Sequence, residues 1–161
     1  MTMKLHPASI ALASLLISPA LSSDVIISNF SSGVGTGTAF GSGANTIYKA
    51  FGFTMGATSY TLEEVALSLN VTGAAIDPQL QIWSDAGSTP GAPLFTLDDP
   101  AALVGQMDFV FTAGAPFTLD AGTTYWLYLE SVPVGGDSFL WDGTNPSMLP
   151  TGGSATAVGY E

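Results

Sequence analysis

Apolar and polar residues alternate along most of the chain with a period of two, the spacing at which successive side chains of an extended strand point to opposite faces. Residues 62–71 show it best: Val65, Leu67, Leu69 and Val71 fall on one side and Glu64, Ala66, Ser68 and Asn70 on the other, with a bulge expected at Glu63 and Glu64. In residues 79–84, Leu80 and Ile82 share one face while Trp83 lines up with Gln79 and Gln81 on the other. Residues 25–30, 48–53, 94–97, 107–111, 117–119, 125–130, 139–141 and 156–160 complete the set of candidate strands. No segment sustains a 3.6-residue apolar repeat, and Gly and Pro recur too often for long helices. Turn chemistry separates the runs, as at Asp85-Ala86-Gly87, Asp120-Ala121-Gly122 and Asp142-Gly143. About ten short strands, each with one apolar face to bury, predict an all-β fold, a two-sheet β-sandwich of jelly-roll-like type. Residues 31–45, rich in Gly, Ser and Thr, read as a long mobile loop.

The start of the chain follows a different rule. Lys4 and His6 precede an apolar run over residues 8–21, which Pro19 interrupts, and Ala20 and Ser22 are small residues at the −3 and −1 positions of a cleavage site. This is the layout of a secretory signal, so residues 1–22 are expected to be a signal peptide and residues 23–161 a single sandwich domain. The run falls short of the about 20 apolar residues that a membrane span needs. Export to the cell surface or the extracellular space is the predicted location. The last strand breaks off at a charged residue, Glu161, with its sheet edge unpaired. That ending leads to the expectation of a truncated chain that would continue to a C-terminal membrane anchor.

Composition narrows the partners. The chain is 47% hydrophobic but only 9% charged, against about 25% in ordinary soluble domains, and its net charge is −11. Beyond residue 22, Lys49 is the sole basic side chain against 13 carboxylates, a net charge of −12, and His, Arg and Cys are all absent. Nucleic acid is excluded as a partner, because binding it requires cations that displace counterions from phosphates. Anionic membrane surfaces are excluded on the same ground. Self-repulsion predicts a monomer near neutral pH.

Four segments carry a family likeness. They are Tyr48-Lys49-Ala50-Phe51, then residues 60–69 (YTLEEVALSL), residues 90–97 (PGAPLFTL) and residues 119–129 (LDAGTTYWLYL). In this order, across most of residues 25–160, they resemble the choice-of-anchor R domain of exported bacterial proteins, many of which carry a PEP-CTERM sorting signal. The resemblance implies a surface or matrix-associated β-sandwich, and it transfers no catalytic residue.

The side chains that remain limit the chemistry. Histidine general-base catalysis, a Ser-His-Asp triad, a cysteine nucleophile and a His-ligated zinc are all excluded beyond residue 22. No catalytic residue is assigned and the protein is expected not to be an enzyme. A glycoside hydrolase, which needs two carboxylates facing each other across a cleft, is a distant third reading. Glu63 and Glu64 are neighbours and point to opposite faces of a regular strand, which leaves Glu130 with a loop Asp.

No cofactor is expected apart from a structural calcium, for which Asp98, Asp99, Asp137 and Asp142 are the candidate ligands, although none fits the EF-hand loop pattern. Aromatic residues give the remaining candidates. In residues 125–130, Tyr125, Leu127 and Leu129 share one face and Trp126, Tyr128 and Glu130 the other, and one of the two faces should be wet. If it is the second, Trp126 and Tyr128 form an exposed ladder beside Glu130, and Trp83 joins them as a ligand platform. The competing reading is that large rings are core.

The leading expectation is therefore a non-enzymatic exported domain of the cell surface or extracellular matrix with a structural or adhesive role. The alternative is a carbohydrate-binding module using Trp83, Trp126, Tyr128 and Glu130. Extracellular polysaccharide or matrix components are the expected partners in either case.

Overall fold

A computed structural model of the protein describes residues 24–30, 33–41, 48–72, 77–132 and 138–161. The expected signal peptide lies outside them. In chain order the strands are β1 (Gly33–Gly41), β2 (Tyr48–Met55), β3 (Tyr60–Val71), β4 (Asp77–Asp85), β5 (Pro90–Thr96), β6 (Gly105–Leu119), β7 (Thr124–Val132), β8 (Ser138–Asn145) and β9 (Ala155–Tyr160). They form a four-stranded sheet in the order β1-β8-β3-β6 and a five-stranded sheet in the order β5-β4-β7-β2-β9. All the pairings are antiparallel. Among the named strands, the β4–β5 hairpin is the one connection that stays within a sheet, and the others cross between sheets. That winding is the jelly roll, with β9 added at the edge beside β2. No helix among the described residues is long and apolar enough to cross a membrane.

The alternation that predicted the strands also builds the core. Phe51, Phe53 and Met55 of β2, Leu80 and Ile82 of β4, and Tyr125, Leu127 and Leu129 of β7 face Leu67, Leu69 and Val71 of β3, Phe109 and Phe111 of β6, and Phe139 and Trp141 of β8. The irregularity expected at Glu63 and Glu64 is present as a register shift, but its extra residues stand on the partner strand: Leu62 pairs with Phe117 and Glu64 with Thr112, so residues 113–116 of β6 lie opposite Glu63 alone. One side of the sandwich is fastened by reciprocal backbone hydrogen bonds between Asp98, just past β5, and Thr112 of β6, at 2.8 and 3.1 Å. Lys49 takes the inward parity of β2, and its Nζ lies 4.7 Å from the Trp141 ring centroid and 5.1 Å from that of Tyr160. Burial pulls its amine below the ordinary lysine range, and the faces of two rings stand in for water.

The structure corrects the reading of residues 31–45 as a loop, because residues 33–41 form β1. Composition misleads here, since the glycines serve close approach to β8. A Cβ at Gly35 would stand 2.6 Å from the Thr144 carbonyl oxygen, and one at Gly37 would collide with the carbonyl of Trp141. Past the register shift between Gly35 and Thr38, Phe40 stacks on Phe139 with ring centroids 4.7 Å apart. Two further candidate strands, residues 107–111 and 117–119, merge into β6. That strand tolerates Gly114 and Pro116 because it lies at a sheet edge. Residues 25–30 contribute a single bridge, Ser28 to Thr151.

Candidate ligand-binding face

Strand β7 lies at the centre of the five-stranded sheet, and its outward residues are Trp126, Tyr128 and Glu130. On one side β4 sets Trp83 opposite Trp126, Gln81 opposite Tyr128 and Gln79 opposite Glu130. On the other side β2 sets Gly52 opposite Trp126, Ala50 opposite Tyr128 and Tyr48 opposite Glu130. The small residues in β2 make room for the large ones in β7. A Cβ on Gly52 would sit 2.9 Å from Cη2 of Trp126, so the indole fills the place where a side chain would otherwise stand.

The expectation of one wet face on residues 125–130 is therefore wrong. Tyr125, Leu127 and Leu129 are buried against the other sheet, while Trp126 and Tyr128 form a second cluster on the outside with Ala50 and the flanking Trp83. Trp126 is only 1% exposed, and its Nε1–H donates to Asp85 Oδ1 at 2.8 Å. It is the floor of the face and leaves the set of ligand-contacting candidates.

Tyr128, 8% exposed, is held between two rings: Tyr48 with centroids 5.0 Å apart and Trp83 at 4.2 Å, both stacked. The three rings run diagonally across β2, β7 and β4. Burial, then the charge of Glu130, raises the Tyr128 phenol above its ordinary pKa, so it is a neutral hydroxyl at physiological pH. Trp83 is fixed in turn, since its Nε1–H donates to Gln81 Oε1 at 2.9 Å and Gln81 Nε2 donates to Thr96 Oγ1 at 3.2 Å. Tyr48 is 48% exposed.

The β4–β5 turn closes this region. Asp85 accepts backbone N–H bonds from Gly87 and Ser88, each at 3.0 Å, in addition to the Trp126 bond. These donors hold its carboxyl below the usual range, the Trp126 indole contributing most, and burial opposes them. Ser88 sits at φ 73°, a left-handed conformation that costs a residue with a side chain about 1–2 kcal/mol. The Asp85 bonds hold it there. The turn presents Thr89 and Pro90, which together with Tyr48, Trp83, Tyr128 and Glu161 line an open cleft of about 250 Å³. Glu161 is placed by reciprocal backbone hydrogen bonds with Ala50, each 3.0 Å.

Of the predicted ligand residues, Trp83 and Tyr128 come together in the cleft and Trp126 lies beneath them. Glu130 is half-buried beyond Tyr128 and does not line it. Tyr48, Gln81, Asp85, Thr89, Pro90 and Glu161 were not anticipated. The signal for Tyr48 was a ring followed at the next two same-face positions by Ala50 and Gly52, a strand that leaves space for a neighbour's rings.

The metal candidates do not converge. Asp142 of β8 accepts from Gln106 Nε2 of β6 at 3.1 Å, whereas Asp98 bridges to Thr112, six residues farther along β6 and so about 20 Å away. Asp137 lies outside the described residues. No three His, Asp or Glu among the described residues are placed to hold one ion. The Asp99 carboxyl is pushed up to about 6, first by burial and then by the charges of Asp77 and Asp98. Glu63 and Glu64 are both exposed on β3, and neither lines the cleft beside Tyr48 and Trp83. Compared with known proteins, the chain matches no family model, no curated protein and no solved structure.

Proposed function

We propose that this is an exported, non-enzymatic jelly-roll domain that works at the cell surface or in the extracellular matrix as an adhesive module, with the outer face of the five-stranded sheet as its contact surface. The observation that carries the reading is the ring stack Tyr48–Tyr128–Trp83 on a face that a sandwich can leave polar. Supporting it are the secretory layout of residues 1–22, the absence of His, Cys and Arg beyond them, and the resemblance to the choice-of-anchor R domain.

A labelled protein applied to extracellular matrix from the producing cells tests the proposal. Wild type should be retained, Tyr48→Ala and Trp83→Ala should be lost in the wash, and Asp142→Asn on the opposite sheet should behave as wild type. Equal retention of all four proteins would overturn the assignment of the face.

A further inference from the structure

Resting on that reading of the face, we infer that the ligand of the cleft is a neutral polysaccharide, engaged through one sugar unit seated in the cleft that the Tyr48, Tyr128 and Trp83 rings line. The shape of the cleft sets the first constraint. At about 250 Å³ and open to solvent, it falls below the roughly 300–1,000 Å³ of sites that enclose a whole small organic ligand. It suits one unit of a chain whose neighbours stay in water.

Surface chemistry sets the second. The cleft joins ring surfaces to Thr89 and Glu161, so its ligand must combine a flat apolar face with polar edges, as a pyranose does with its C–H face and its hydroxyls. Beside the rings, Gln81 and Thr96 form a polar row along β4 and β5.

Charge sets the third. Glu161 lies in the cleft and Glu130 and Asp85 lie around the ring cluster, while Lys49, the sole base beyond residue 22, faces inward against Trp141 and Tyr160. Uronate, sulfate and phosphate polymers are repelled from such a face. Nucleic acid bases would stack on the rings, but their phosphates would find no cation.

The site is also rigid before binding. Gln81 locks Trp83, the neighbouring rings lock Tyr128, and Asp85 locks the turn that supplies Thr89 and Pro90. Such preorganisation reduces the entropy cost that otherwise weakens binding to a small contact area.

Native gel electrophoresis through gels containing hydroxyethyl cellulose, glucomannan or xylan, with alginate as the anionic probe, tests the inference. At least one neutral polymer should retard the protein and alginate should not. Tyr48→Ala and Trp83→Ala should each weaken retardation about tenfold, the loss typical of an aromatic anchor, and Trp83→Phe should restore part of it. Tyr48 is half exposed, so its variant should keep a wild-type thermal midpoint and separate binding from folding.

Retardation by none of the neutral polymers, stronger retardation by alginate, or unchanged retardation of both alanine variants would overturn the inference. If matrix binding still depended on Tyr48 and Trp83 while no neutral polymer bound, the adhesive face would stand and its partner would be a protein. If matrix binding ignored both residues, the face itself would fall.

Discussion

The two sheets of this sandwich share one inner core but present very different outer faces. The four-stranded sheet shows Glu64, Ala66, Ser68 and Asn70 of β3, Gln106, Asp108, Val110 and Thr112 of β6, and Leu140, Asp142 and Thr144 of β8, with no aromatic ring among the described residues. The five-stranded sheet carries Tyr48, Trp83, Trp126 and Tyr128 on its outer side. A sandwich needs apolar residues only where its sheets meet, and the first face shows that this one folds with a polar exterior. The rings of the second face are therefore more than the fold requires. They are organised in two tiers: Trp126 is buried as a floor, and the stack above it remains open at Tyr48 and Trp83.

That contrast can be broken at the floor. Trp126→Ala removes a fully buried indole that nothing can replace in place, and should cost about 3–5 kcal/mol of unfolding free energy in urea titration. Gly52→Val pushes a side chain into the space of the same ring and should destabilise by about 1–3 kcal/mol through overpacking. Ala66→Val, on the outer face of the four-stranded sheet, should stay within about 0.5 kcal/mol of wild type. A floor that tolerates Trp126→Ala as well as the other face tolerates Ala66→Val would refute the two-tier picture.

One step down, Asp85→Ala removes the acceptor shared by Trp126, Gly87 and Ser88. It should lower the thermal midpoint less than Trp126→Ala does, and should weaken matrix binding because the turn that carries Thr89 and Pro90 loses its tie. Its depressed pKa means that this stabilisation is present above the ordinary carboxylate range and lost as pH falls through the folded-state value. The midpoint difference between wild type and Asp85→Ala should therefore shrink in strong acid.

The smallest effect belongs to Asp99, far from the ring stack. Its carboxyl, pushed up to about 6, disfavours the folded state while it is ionised. The penalty is complete above pH 6, is relieved as pH falls below that, and vanishes below the ordinary value near 4. Asp99→Asn should raise the unfolding free energy at pH 8 by no more than about 1 kcal/mol, because the side chain is partly in solvent, and the gain should be gone at pH 4. A gain that persisted at pH 4 would assign the effect to something other than charge.

How far the sequence could be read follows from the same physics. Period-two alternation is local, so the sandwich, the inward facing of Leu67, Leu69 and Val71 in β3, and the alignment of Trp83 with Gln79 and Gln81 were all legible, whereas the four residues of β6 that stand opposite Glu63 were not. Strand β1 was hidden because its glycines look like loop composition and reveal their use only against the β8 backbone. The fate of Trp126 was hidden for a related reason. Alternation assigns a residue to a face, but whether that face is covered depends on the neighbouring strands, and only the pairing of β7 with β2 shows that Ala50 and Gly52 leave the indole a bed. Tyr48 comes from the same distant strand, and Asp85 acts through a turn whose hydrogen bonds reach a residue 41 positions away.

The central claim, that the ringed face and not the plain one makes contact, is tested most directly by hydroxyl-radical footprinting of the free protein and of the protein bound to matrix, read residue by residue by mass spectrometry. Tyr48 and Trp83 should be oxidised in the free state and protected in the bound state, while Met107, exposed on the edge of the four-stranded sheet, should be oxidised equally in both. Protection of Met107 with Tyr48 and Trp83 left reactive would place the contact on the other sheet and contradict the account.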